Sequence, residues 1–184
     1  MTLDATFDAC VLHPAGLRDL LVRLAMTGLF RAHWSEQILD EMVMSILRRR
    51  PDLSASQLDR TRELMCEAVP DCIVVGHDDL TGDLRLPDPA DRHVLAAAIH
   101  SHSQVIVTEN LSDFPSEALE PFGSEAQTPD SFVLALVRRS PRIVHAVVRA
   151  QAASLRNPPM ELDEMLDRLV AAGLRSTVAA LRAA

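Results

Sequence analysis

Two kinds of apolar pattern alternate along this chain. Short, largely apolar runs at Ala5–Leu12, Cys72–Val75 and Val105–Thr108 predict buried strands, and Phe30–Trp34 is a further short strand candidate. Between them, apolar residues recur at helical spacing. Leu17, Leu20, Leu21, Leu24 and Ala25 follow i, i+3, i+4, i+7, i+8, between Pro14 and a terminating Gly28. Ser35 caps a second helix with Ile38, Leu39, Met42 and Ile46 inward, and Pro51 stops it. Ser54 caps a third, reaching about Ala68. His77 to Pro87 is polar and rich in Gly and Asp, so it predicts a loop. A helix opened by Asp91 runs to about His102. Residues 111–127 read as loop with a short fifth strand near Phe122–Ala126, and Thr128-Pro129 starts a further helix. This alternation predicts an α/β domain with a parallel sheet.

The pattern changes after Ser140. Helices are expected at 141–155, 161–172 and 176–183, with breaks at Asn157-Pro158-Pro159 and Gly173. The stripe of Leu162, Met165, Leu166, Leu169 and Val170, followed by Val178 and Leu181, cannot stay in water. It must pack on the main domain, on a second copy in a homodimer, or on a partner. Two units are therefore expected, residues 1–139 and 140–184.

Composition narrows the function. At 184 residues and 48% hydrophobic, the chain can bury a sizeable core, which aromatics at 3% leave to Leu, Val, Ile, Ala and Met. All basic residues are Arg, and the net charge of −8 argues against a global basic field for nucleic acid. Arg48-Arg49-Arg50 and Arg138-Arg139, with Arg142 and Arg149 nearby, are local exceptions that read as solvated helix faces. Cys10, Cys66 and Cys72 have neither disulfide-framework nor zinc spacing. With no leader pattern and no apolar run of membrane-spanning length, a cytoplasmic protein without membrane contact is expected.

The chemistry lies in four acids. Asp8 sits in the first apolar run, where a charge is costly unless paired or metal-bound. Glu41 follows Ile38 by one turn and can reach the margin of a buried face. Asp91 stands in Asp88-Pro89-Ala90-Asp91, which also reads as cap and first turn of a helix. Asp113 follows the strand at 105–108, in turn-like Ser-Asp-Phe-Pro. Thr108 can orient a ligand or water. Carboxylates at strand ends on one edge of a parallel sheet share a crevice, and clustered hard oxygens suit Mg²⁺ or Mn²⁺. His93, His100 and His102 do not share a helix face in a way that suggests zinc. Trp34 reads as core.

The ordered blocks Phe7-Asp8-Ala9-Cys10-Val11-Leu12, Ser35-x-x-Ile38-Leu39-Asp40-Glu41, Asp88-Pro89-Ala90-Asp91-Arg92-His93-Val94-Leu95 and Val107-Thr108-Glu109-Asn110-Leu111-Ser112-Asp113 resemble the PIN domain, specifically the VapC-like ribonuclease toxins. The resemblance covers roughly residues 3 to 138. It implies a five-stranded parallel sheet in the order 3-2-1-4-5 with helices on both faces, plus a C-terminal helical tail. It also implies a Mg²⁺- or Mn²⁺-dependent endoribonuclease with Asp8, Glu41, Asp91 and Asp113 as metal-binding and catalytic acids, an RNA substrate and a VapB-like antitoxin. The sequence departs from the family in placing Ala-Cys after Asp8, where a small polar residue is frequent. Two other readings are a catalytically weak PIN-fold module that binds RNA or protein, and a different metal-dependent phosphohydrolase. Asp8-Ala9-Cys10 lacks the Asp-x-Asp-x-Thr pattern of one such class.

Overall fold

The computed structural model describes residues 2–183. Met1 and Ala184, the outer limits of the two expected units, lie outside the described residues. Five strands, β1 (Leu3–Phe7), β2 (Phe30–Ser35), β3 (Ile73–Val74), β4 (Val105–Val107) and β5 (Glu125–Gln127), pair in parallel in the order β3-β2-β1-β4-β5. Ala5 is the centre of register, opposite Ala32 on one side and Val105 on the other. Asp4 to Phe7 are all buried although successive side chains alternate faces, so both faces of the central strand are covered.

The helices follow the sequence closely in the first half: α1 (Ala9–Leu12), α2 (Ala15–Met26), α3 (Glu36–Arg49), α4 (Ala55–Ala68) and α5 (Arg92–His100). Ser35 Oγ accepts from Ile38 N at 3.2 Å. Ser54 and Gln57 make a reciprocal capping box. Three expectations are corrected. The run Ala5–Leu12 is not one strand: β1 ends at Phe7, and Ala9–Leu12 is a helical turn capped by Asp8. A four-residue apolar run fits either state, and chain reversal at the sheet edge decides for helix. Cys10 is therefore on a half-buried helix and not in a strand. The loop at 77–87 contains a 3₁₀ turn at Asp78–Leu80. Within 111–127, 3₁₀ turns at Leu111–Asp113 and Glu120–Phe122 flank α6 (Ser116–Leu119), and the fifth strand lies at Glu125–Gln127, slightly beyond its expected place.

The remaining helices are α7 (Pro129–Arg139), α8 (Pro141–Ser154), α9 (Leu162–Ala171) and α10 (Arg175–Ala183). Met165, Leu166, Leu169, Val178 and Leu181 are buried in the same hydrophobic cluster as Phe7, Trp34 and Phe132. Each such side chain contributes roughly 1.5–3 kcal/mol by leaving water. The tail thus satisfies its apolar stripe on its own chain. A polar clasp fixes it: Asp130, in the first turn of α7, accepts from the backbone N–H groups of Ser176 (3.0 Å) and Thr177 (2.8 Å), capping α10 from another helix. Burial would raise the Asp130 carboxyl, but these bonds outweigh it and hold its pKa below the ordinary value. Trp34 is fully buried and stacks on Phe7 with ring centroids 6.2 Å apart. No helix among the described residues is long and apolar enough to cross a membrane.

Candidate active site

Asp8 leaves the sheet at the carboxyl edge of β1. Its N–H still bonds Val107 O (3.1 Å), so the residue is anchored to β4 while its carbonyl starts α1 by accepting from Val11 N. The side chain is 6% exposed. Oδ2 accepts from Thr108 Oγ1 at 2.7 Å and from Cys10 Sγ at 3.0 Å. Oδ1 makes no hydrogen bond and no cation pairs with the group among the described residues. Cys10 thus supplies a donor at the position where a polar residue is frequent in the family. Burial, and then the Asp8 charge, push its thiol up to about 12, so it stays protonated and able to donate. Glu109 N donates to the same sulfur at 3.2 Å.

Asp91 stands at the junction of a 3₁₀ turn, Pro89–Asp91, and α5. The cap of that turn is Asp88, whose Oδ1 accepts from Ala90 N at 2.8 Å. The Asp91 side chain makes no capping bond. Burial pushes its carboxyl up to about 6, with further upward pressure from the charges of Asp8, Asp113 and Asp88 and a smaller downward pull from His93. Asp91 is therefore within electrostatic reach of both Asp8 and Asp113, and none of the three joins an ion pair among the described residues. Asp113 ends the 3₁₀ turn that follows β4, half-buried, with its N–H bonded to Asn110 O at 3.0 Å.

Glu41 is placed differently. Its neighbour Asp40 is taken by Arg62 of α4, at 2.6 Å. Glu41 faces α5, where its Oε1 lies 2.9 Å from Nε2 of buried His93. The contact is short, although off the direction of a hydrogen bond, so both ring nitrogens of His93 remain without a hydrogen-bond partner. Asp91 feels the charges of both Asp8 and Asp113, and Glu41 lies against the helix that Asp91 opens. No group of three or more His, Cys, Asp or Glu among the described residues is gathered tightly enough to enclose a metal by itself.

Three neighbours escaped the sequence. His93 lies far in sequence from Glu41, the side chain it meets. His13, the end of α1, and Arg49, near the end of α3, approach where α1 packs on α3. Burial lowers the His13 pKa first, then the charges of Arg49 and Arg18, against the pull of Asp8. No spacing rule links positions that distant. Thr108, by contrast, was legible as an orienting group.

Residues 4–112 match the PIN domain family, and residues 129–183 match the family of the VapC50 C-terminal domain. The chain belongs to the PIN domain family. The PIN match contains Asp8, Glu41 and Asp91 and ends one residue before Asp113. A curated relative, "Putative ribonuclease VapC50" of Mycobacterium tuberculosis, is 39% identical over 79 residues, which is 43% of this chain. The alignment spans about half of that relative's length, 47%. No solved structure matches the chain. Residues 113–128 lie between the two family matches.

Proposed function

We propose that this PIN-domain chain is a Mg²⁺- or Mn²⁺-dependent endoribonuclease, acting in the cytoplasm as the toxin of a VapBC-like pair. The observation that carries this reading is the uncompensated charge at the sheet edge. Asp91 lies within reach of the Asp8 and Asp113 charges, none of the three is ion-paired among the described residues, and Asp8 keeps one oxygen free of hydrogen bonds. Burial without pairing is costly, so such a group is retained where a ligand supplies the missing charge. The carboxylate donors fit a hard divalent ion such as Mg²⁺, which is typically held by one or two carboxylates and completed by water and phosphate.

Asp8 and Asp91 would hold the ion, with Glu41 and Asp113 completing the pocket through water. When bound, the ion supplies positive charge and Lewis acidity opposite the phosphodiester. Thr108 and Cys10 fix the Asp8 carboxylate through Oδ2, so Oδ1 needs no reorganisation to bind. Asp113 and Glu41 accept hydrogen bonds from water and orient it toward phosphorus. Arg49 and His13 border the acids and offer donors to a phosphate oxygen, which the crevice would otherwise repel. The antitoxin would cover the same crevice, with a basic side chain answering the carboxylates.

The test is cleavage of RNA by the purified chain with Mg²⁺ or Mn²⁺, with EDTA, and with Asp8→Asn. Cleavage that needs the metal and disappears in the variant supports the reading. Metal-independent cleavage, or an Asp8→Asn chain as active as wild type, overturns it. RNA binding without cleavage under all metals identifies a PIN-fold binding module instead.

A further inference from the structure

From Ser131 to Met160 the chain contains five arginines, Arg138, Arg139, Arg142, Arg149 and Arg156, and no Asp or Glu. The rest of the chain holds thirteen arginines against twenty-six acids. The stretch comprises most of α7, all of α8 and the turn after it. All five arginines are exposed, and none joins an ion pair or a side-chain hydrogen bond among the described residues. Of the other thirteen, Arg23, Arg31, Arg50, Arg60, Arg62 and Arg182 each meet a carboxylate, whereas Arg48, Arg49, Arg168 and Arg175 are exposed without one among the described residues. The segment 131–160 is therefore a stretch of unpaired positive charge without an acid of its own, in a protein whose net charge is −8.

The geometry of α8 gives that charge a direction. Its buried side packs on α2 and the tail through Val144, Val147, Val148 and Ala152. The outward side presents Arg142, His145 and Arg149 around Ala146, Ala150 and Ala153, bordering an open hollow of about 730 Å³. Arg142 and Arg149 are two turns apart, about 10 Å along the axis. Small side chains between them let a backbone come close. Near the end of α8 that carries Arg149, Gln151 Nε2 donates to Gly16 O at 2.8 Å, in the first turn of α2. That turn follows directly on α1, which Asp8 caps. The Arg149 end of α8 thus packs on the start of α2, and the basic side runs from there toward Arg138 and Arg139.

We infer that the outward side of α8, with the end of α7, is a binding track for the RNA phosphate backbone outside the cleavage crevice. It rests on the ribonuclease reading for its choice of polyanion. An acidic protein segment would also meet the charge, but the face has no large aromatic anchor of the kind that protein interfaces concentrate. Unpaired arginines among small residues match phosphate contacts, which carry affinity and no sequence preference.

The experiment measures binding of a short unstructured fluorescein-labelled RNA in EDTA as salt is raised, for wild type, Arg142→Gln/Arg149→Gln and a control, Arg60→Gln/Arg182→Gln. Both double variants remove the same charge. The first should weaken binding and reduce the slope of log K against log[salt] by about 1.4 for two single-strand phosphate contacts. The control should leave the slope unchanged. Equal losses in both variants would show a general charge effect and overturn the track. So would an unchanged Arg142/Arg149 variant with a normal melting curve. Displacement of the RNA by poly-glutamate at matched charge would assign the surface to an acidic protein and also overturn it. Wild type that binds with the arginine-dependent slope yet never cleaves with metal would sink the ribonuclease reading and leave the track standing.

Discussion

Asp4, near the start of β1, and Asp8, just past its end, are buried alike at 4% and 6% exposure, but their surroundings are opposite. Asp4 accepts from Arg31 through both oxygens, at 2.7 and 2.6 Å, and lies 2.8 Å from His33 Nε2. Burial would raise its carboxyl, and these partners more than reverse that, holding it below the ordinary value. Asp8 has only a hydroxyl and a thiol as side-chain donors, and its electrostatic neighbours include another carboxylate, Asp91. One acid completes a structural cluster at the amino edge of the sheet. The other stands incomplete at the carboxyl edge, where parallel sheets place their ligands. Burial alone does not distinguish structural from functional aspartates; the charge opposite them does.

The strongest way to break the contrast is to neutralise each acid in turn. Asp8→Asn should reduce RNA cleavage by more than about 100-fold, since even outer-shell metal partners cost up to that much. Its melting temperature should hold or rise, because one of several crowded charges is gone. Asp4→Asn should cleave normally per folded molecule. It should lose about 1–3 kcal/mol of stability in urea unfolding, the cost of leaving partners of a buried polar group unmatched. If the effects of the two substitutions exchange, the assignment of the two edges is reversed.

Much of this contrast was visible before the fold. The four apolar runs and their helical interludes gave the sheet, because parallel strands are buried on both faces and read as continuous. Asp8 stood out because a charge inside such a run needs a reason. Asp4 did not, since its partners are in β2 and only the parallel register Asp4↔Arg31 brings them across. The end of β1 is hidden for a similar reason: Ala9–Leu12 is apolar in a helix as it would be in a strand. The role of Cys10 depended on that turn, which puts its sulfur beside Asp8. Glu41 and Asp40 could be separated only once Arg62 on α4 claimed one of them.

Metal should sharpen the comparison thermally. Mg²⁺ or Mn²⁺ at 100 times its dissociation constant should stabilise the native chain by about 2.7 kcal/mol, and Asp4→Asn should retain that gain. Asp91→Asn should lose it. A melting temperature that ignores both ions in wild type would count against the acidic crevice as a cation site. Equal metal shifts in wild type and Asp91→Asn would count against Asp91 as a ligand.

The smallest expected effect is a pH dependence of opposite sign at the two edges. Asp4 titrates below its ordinary 3.8 in the folded chain, so its stabilising contribution is present above pH 4 and is lost as pH falls through the folded value. Asp91 is pushed up to about 6 from 3.8, so its contribution is present below pH 4 and is lost as pH rises to 6. In metal-free buffer, wild type should therefore lose stability relative to Asp91→Asn across pH 4 to 6. The difference should be about 1 kcal/mol, well under the full linkage value because the group is partly solvated. Asp4→Asn should instead flatten the acid limb below pH 4. Adding Mg²⁺ should erase the pH 4 to 6 difference in its upper half, because the ion takes the place of the proton. A wild-type minus Asp91→Asn difference that stays constant from pH 4 to 7 without metal would mean that burial and the Asp8 and Asp113 charges do not raise Asp91. The carboxyl edge of the sheet would then be as well compensated as the amino edge.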